Sequence, residues 1–573
     1  MPYNASTVWE VRPGTGNANN GGGFGGTGTD YSNQNTAQYS FLAAGGTYTN
    51  NLTATNVNPA VLSSASYNFT ASDVGNVINI TAGTNFVAGR YQIISVAANA
   101  ATLDRNCCTG GAASVGSGYV GGAITTPDAI YATIVAGNKV WINNGGATAA
   151  TMLGARSFTA GTIGAPVVFE GYNASRGDLA SETWATAHNP FGHLRCTNYP
   201  TLDCSTYSTT FGTCTTVKCL KVTSACTTNA LVQGTAGLFW RVSLNCSGSG
   251  AAVVGCTVGV RGVCVDCDVV MTATTGSCCF NGSANAVFHS CRATGAAHHG
   301  VTVGTAVGAV INCLFYDLTG SKYGVYQSAV TLPMIVVGST FDRCTAAVCV
   351  YSATHVTTVV TAIGNLVTNC TTGFYNLWAT AIPIFAYANR LRDNTNNYTG
   401  WLNNASAGWG DTVTDSDDAT EYPLIASGTA TAGAATTITL QAGSSAVDDY
   451  YKGAQLTTTG GTGSGQVRYI YSYVGSTRVA TVRTWGVNPS SDTTYQLRSL
   501  GATSASLAKA AGMPPYLDAG AWQRQEPTLP AVGDVKLGVQ YGDAGTEFTG
   551  TYGAATFPVS IPCFQVVTEV NAY

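Results

Sequence analysis

Between residues 240 and 400 apolar and polar positions alternate in short runs, each closed by Gly, Asn, Asp or Ser, as in INCLFYDLTG (311–320), GSTFDRCTAA (338–347) and GNLVTNCTTG (364–373). A period of two is the mark of strands that bury one side chain in two. The three lines superimpose when Cys313 is set on Ser339 and Asn365, steps of 26 and 26 residues. Upstream, Cys267, Cys291 and Cys313 hold the same place in VDCDV, HSCRA and NCLF, with steps of 24 and 22. A second column follows in each unit: Gly300-Val-Thr-Val, Gly324-Val-Tyr, Val348-Cys-Val-Tyr and Gly373-Phe-Tyr. Repeats of this length, built from two or three short strands, are solenoid units that stack like residue on like. The expected fold class is all-β, a right-handed parallel β-helix (solenoid) flanked by small antiparallel β modules.

KVWINNGG (139–146) and APVVFEGYNASRGDL (165–179) each read as strand, turn, strand, which starts the solenoid near Ile130. Two segments outside it, 71–105 and 448–485, share one pattern: Asp, Gly, an apolar strand, a Gly-Thr turn, an Ile/Ser strand, then Ala-Thr. That pattern predicts a small antiparallel barrel or sandwich with glycine turns. Four regions are therefore expected: an N-terminal arm with a small β module over 1–129, the β-helix over 130–410, a second small module over 411–500, and a linker with a C-terminal β tail over 501–573. The opening 60 residues, with NANNGGGFGGTGTDYSNQN (17–35), read as a pliable arm.

Composition narrows the function classes. The hydrophobic fraction is 45%, enough for an extensive core and against disorder. Only 9% of residues are charged, with 24 Lys+Arg against 28 Asp+Glu, compared with roughly 25% in an average soluble domain. A net charge of −4 without a basic cluster argues against nucleic-acid binding. The lack of a long uncharged apolar run argues against membrane insertion, and MPYNASTVWEVRP does not read as a secretory signal. The 19 cysteines are an odd number, and those from 246 to 370 fit as small unpaired core residues. The cluster Cys196, Cys204, Cys214, Cys219 and Cys226 leaves disulfides open. Cys264-x-x-Cys267 has no second pair nearby, so neither a metal nor another cofactor is expected.

The register also pairs charges. It sets Asp268 beside Arg292 and Asp317 beside Arg343 on neighbouring strands, which reads as an ion ladder on the surface. Arg176-Gly177-Asp178 falls in a turn and is expected to be no more than that. GGTGSGQ (460–466) lacks the Gly-Lys-Ser/Thr ending of a phosphate-cradling loop.

Three stretches carry a family resemblance. DDYYKG…GGTGSGQVRYI…STRVATV resembles a β module that recurs in tailed-bacteriophage structural proteins. DVKLGVQYGDAGTEFTGT resembles a C-terminal segment of the same class, and TVWEVRPGTGNANNGGGF with the later GYNASRGDL looks like the start of phage β-helix proteins. The resemblance implies a homotrimeric tailspike or fibre, with the N-terminal region at the virion attachment or the trimer contact. Its implied partners are other virion tail or capsid proteins and host surface polysaccharide. Its implied place is the virion, assembled in the host cytoplasm and released by lysis.

Many β-helix proteins cleave glycans, which sets a chemical test. Glycoside hydrolysis uses two carboxyls about 5–9 Å apart, and a lyase needs a base and a group that neutralises a uronate. No glutamate lies between Glu182 and Glu421, and the aspartates from Glu182 to residue 410, the expected end of the β-helix, are Asp203, Asp266, Asp268, Asp317, Asp342 and Asp393. The catalytic candidates are Asp317 and Asp342 on adjacent units, with His298 and His299 aligned on Lys322 and Tyr323. Adhesion suits the low charge better, through aromatic faces that stack on sugar rings. Its candidates are Tyr199 and Tyr207 in TNYPTLDCSTYSTTFGT (197–213), and Tyr398 and Trp401 in ANRLRDNTNNYTGW (388–401). Two other readings stand beside a host-attachment protein: a polysaccharide depolymerase on the same scaffold, and a capsid-decoration or tail-assembly protein without a receptor.

Overall fold

The computed structural model describes residues 5–498 apart from 147, 181–197, 251–252, 273–274, 296–297, 304–307, 328–333, 352–359, 378–383, 402–411 and 415–423, together with the short antiparallel pair Gln540–Tyr541 and Phe548–Thr549. Cys196 and most of the expected linker and tail over 501–573 lie outside the described residues. The centre of the chain is the parallel β-helix expected from the repeat. One coil runs Val287–His289, Arg292–Thr294 and His299–Val303, and the next runs Gly308–Ile311, Leu314–Tyr316 and Tyr323–Gln327. Like stacks on like in parallel register: Phe288 on Val310, Ala293 on Phe315, Val301 on Val325. The first two strands of the coils join a 21-stranded sheet, and the third strands form a ten-stranded sheet.

The corner between the first and second strands explains the cysteine column. Asp266, Ser290, Asn312, Gly338, Gly364 and Ala388 all turn it with φ between 53° and 62°. This left-handed region favours Gly and tolerates Asn and Asp. The next residue points inward at every coil: Cys267, Cys291, Cys313, Ser339, Asn365, Asn389. Each satisfies backbone groups that the corner leaves unpaired. Cys313 Sγ donates to the carbonyls of Phe288 and Ile311 at 3.5 and 3.3 Å, and Asn365 and Asn389 donate to Val336 and Ala362 at 3.0 Å. The opposite corner repeats the device with Asp317, Arg343, Asn369 and Asp393 at positive φ. There Cys344 and Cys370 give way to Asn394, whose amide oxygen accepts from the Cys370 N–H at 2.9 Å. The cysteines among the described residues are free thiols, Cys204, Cys214, Cys219 and Cys226 included.

Inside the coils Phe315 and Phe341 stack with centroids 5.1 Å apart and planes at 17°. Their rings lie against glycines of the third strands. A Cβ on Gly324 would sit 2.4 Å from Phe341 Cδ1 and 2.6 Å from the Ala347 carbonyl oxygen, and backbone cannot yield as a side chain can. Gly324→Ala is therefore expected to destabilise the chain by about 1–3 kcal/mol through overpacking, read as a lower urea midpoint with an unchanged slope.

The N-terminus departs from the expected arm. Val8–Val11 pairs in parallel with Lys139–Asn143 and antiparallel with Gly23–Phe24, so the chain enters the solenoid with its first strand. Trp9 is fully buried and donates through Nε1 to Asn138 Oδ1 at 3.1 Å. The alternation VWEV belongs to a strand whose register partner is 131 residues away, Val8 on Lys139, beyond the reach of a local pattern. The antiparallel module over 39–120 is inserted behind it, as one seven-stranded sheet around Phe41, Leu62, Ile78 and Ile93. Arg176 closes this end with ion pairs to Glu10 at 2.7 Å and Asp30 at 3.0 Å, while Asp178 accepts backbone N–H groups of residues 173–175. The Arg-Gly-Asp triplet is thus a turn, with its charges used internally. At the other end two four-stranded antiparallel sheets over 424–498 enclose Ile438, Leu456, Ile470 and Tyr495, and 460–466 is the turn between two of their strands.

Candidate functional site

The second strands of successive coils, Asp268–Met271, Arg292–Thr294, Leu314–Tyr316 and Thr340–Asp342, lie side by side, and the 424–498 module reaches onto them. Asp268 and Arg292 are register partners, as the repeat implied, joined by two hydrogen bonds of 2.7 Å. The expected surface ladder is corrected here. Both side chains are fully buried, and Lys452 of the module adds a third charge 3.1 Å from Asp268 Oδ2. Burial opposes ionisation of Asp268, but the Arg292 and Lys452 charges outweigh it and hold its carboxyl well below the usual range.

Asp317 and Asp342 are brought together, with the Asp317 N–H donating to the Asp342 carbonyl at 3.1 Å. Asp317 forms its ion pair with Arg483 of the module at 3.0 Å, and Tyr471 Oη is 3.5 Å away. Burial pushes its carboxyl up, against Arg483, Arg468 and Arg343 nearby. Asp342 is fully buried and accepts from Thr368 Oγ1 at 2.8 Å, Asn369 Nδ2 at 2.9 Å, Gln455 Nε2 at 3.4 Å and the Tyr469 hydroxyl. The lone pairs that a general base or nucleophile would use are engaged by these donors.

The histidines lie with a different set, on the ten-stranded sheet. Val301, Val325, Val348 and Phe374 point into the core, so the neighbouring positions Tyr326, Cys349 and Tyr375 lie on the outer face in register. His299 stacks on Tyr326 with centroids 4.4 Å apart and planes at 12°, with Tyr323 at 5.1 Å from His299 and Tyr375 at 6.5 Å from Tyr323. The Tyr323 N–H donates to His299 Nδ1 at 3.2 Å. Burial first, then Lys322, lowers the His298 imidazole to about 4. The same causes, in the same order, push His299 to about 3. Both rings are neutral at pH 7. Tyr326 and Tyr375 are half-buried, and Tyr351 continues the outer face at 44% exposure. The result is an aromatic strip along neighbouring coils. Its signal was the recurring Tyr in the second sequence column, which marks the repeat as much as a surface.

The four aromatic candidates divide. Tyr199 is buried against Leu179 and Cys219. Trp401 is 3% exposed, sits in the core and donates to the Phe374 carbonyl at 2.9 Å. Both were placed on ligand-facing turns by their polar sequence neighbours, but each side chain folds inward. Tyr398 is half-buried and stacked on Phe374 at 5.1 Å, and Tyr207 is 38% exposed. Among the described residues no cluster of three His, Cys, Asp or Glu side chains could hold a metal ion, and no helix is long and apolar enough to cross a membrane.

No family model and no curated protein matches the chain. Solved structures similar to it include a rhamnogalacturonan lyase, at 12% identity and a TM-score of 0.37 over 53% of this chain and 86% of that one. Others are an alginate lyase from Paenibacillus sp. str. FPU-7 (13%, TM-score 0.33, 46% and 91%) and the Pseudomonas phage phi297 tailspike gp61 (10%, TM-score 0.17, 82% and 78%). At these values, what those proteins act on does not carry over.

Proposed function

We propose that this chain is a saccharide-binding surface protein, a β-helix tailspike or fibre with which a virion attaches to host polysaccharide. The observation that supports binding is the half-buried pair Tyr326 and Tyr375 on the outer face, backed by the buried rings of Tyr323 and His299. Tyrosine rings present an apolar face to the C–H side of a sugar and a hydroxyl to its polar edge. Strands about 4.8 Å apart place Tyr326 and Tyr375, two coils apart, roughly 10 Å from each other along the axis, a spacing suited to alternate rings of an extended polymer. Adhesion is favoured over cleavage because Asp317 and Asp342 are spent on other contacts. The virion setting and the homotrimer rest on the sequence resemblance.

The test is binding to host surface polysaccharide by affinity electrophoresis. The double change Tyr326→Ala and Tyr375→Ala is expected to weaken binding about 10–30-fold, the loss of roughly 2 kcal/mol of ring contact, with the thermal transition of the parent retained. Undiminished binding by a folded double variant would remove the strip as the site. Light scattering that returns a monomer would remove the trimer.

A further inference from the structure

The 424–498 module and the solenoid keep separate apolar cores. Ile438, Leu456, Ile470, Trp485 and Leu497 form one, and the stacked interior of the coils forms the other. The contacts that join the two bodies are polar: Lys452 to Asp268, Arg483 and Tyr471 to Asp317, Gln455 and Tyr469 to Asp342. A ring contact of 4.5 Å between Tyr316 and Tyr469 lies among them. Burying this many charges costs more than an apolar seam of equal size, so such a seam is not the most stable way to join two bodies. Interfaces of this polar kind between domains typically permit relative motion.

We infer that the 424–498 module is a detachable clamp, which closes over the solenoid flank and can leave it as a folded body, uncovering Asp268, Arg292, Tyr316, Asp317 and Asp342 as one face. The module grips three different coils, those of Asp268, Asp317 and Asp342, so closure also ties these coils together. Its separate core is what lets it leave intact. The carboxylates then regain water in place of Lys452, Arg483 and Tyr469. The clamp is independent of what the aromatic strip binds, since that strip lies on the other sheet.

Hydroxyl-radical footprinting of the full chain tests this, with tyrosine oxidation read by mass spectrometry. In the parent, Tyr316 and Tyr469 are protected. In the double variant Lys452→Met and Arg483→Met, oxidation of both is expected to rise several-fold. Tyr495 in the module core and Phe341 in the solenoid core should stay as protected as before. Equal oxidation of Tyr495 and Tyr469 would mean that the module unfolds instead of leaving, and overturns the inference. So does an unchanged Tyr316. If the double variant does not fold, Tyr469→Phe removes one hydrogen bond at constant shape. It should raise Tyr316 oxidation about two-fold or more, and no rise there overturns the clamp equally.

Discussion

Arg292→Met is expected to lower the unfolding free energy of the full chain by about 3–5 kcal/mol, the usual cost of removing one partner of a buried ion pair. Arg292 is among the largest fully buried side chains, and both of its hydrogen bonds to Asp268 are 2.7 Å long. Methionine fills similar volume, so the loss is electrostatic more than steric. Lys452 and Ser243 remain within 3.1 and 3.2 Å of Asp268, which keeps the penalty from being larger. The effect carries a pH signature. The folded Asp268 carboxyl lies below its ordinary pKa, so its contribution is full above the unfolded value of about 4 and fades as pH falls toward the lower folded one. Urea midpoints of the parent and the variant should therefore draw together below about pH 4. A variant equal to the parent at pH 7 would mean that the pair is not buried as described.

Trp401→Ala should cost about 3–5 kcal/mol, as large-to-small changes of buried Trp do, and leave polysaccharide binding of the folded fraction unchanged. The indole is 3% exposed, packs in the solenoid core and satisfies the Phe374 carbonyl through Nε1 at 2.9 Å. Removing it opens a cavity near the stacked pair Phe374 and Tyr398 and orphans an acceptor. Denaturation and affinity electrophoresis on one preparation separate the two roles. Stability unchanged with binding lost would return Trp401 to the ligand-facing surface that its polar sequence surroundings indicate.

The solenoid was legible because its information is local and repeated. Each corner needs a left-handed residue followed by a small polar or thiol side chain, so Asp266-Cys267, Asn312-Cys313 and Gly364-Asn365 announce the same turn. The pairing of Asp268 with Arg292 followed from that register. Its burial did not, because the cover comes from Lys452, far along the chain in another body. The same distance hid the first strand at 8–11, whose partner lies beyond an inserted module. Aromatic residues misled for a related reason. Tyr199 and Trp401 stand among polar neighbours yet fold inward, while Tyr326 and Tyr375 sit on strands that alternate and so face out. The catalytic candidates were brought together in part, Asp317 with Asp342 on one flank and His298 and His299 on another sheet. Adjacency in register says which side chains are neighbours, and what covers them is decided by contacts that no repeat encodes.

Tyrosine footprinting with and without saturating host polysaccharide would locate the ligand on the parent chain. Oxidation of Tyr326 and Tyr375 is expected to fall several-fold on binding, while Tyr207, exposed and distant in sequence from the strip, keeps its reactivity. Protection of Tyr207 with Tyr326 and Tyr375 unchanged would contradict the strip as the saccharide site.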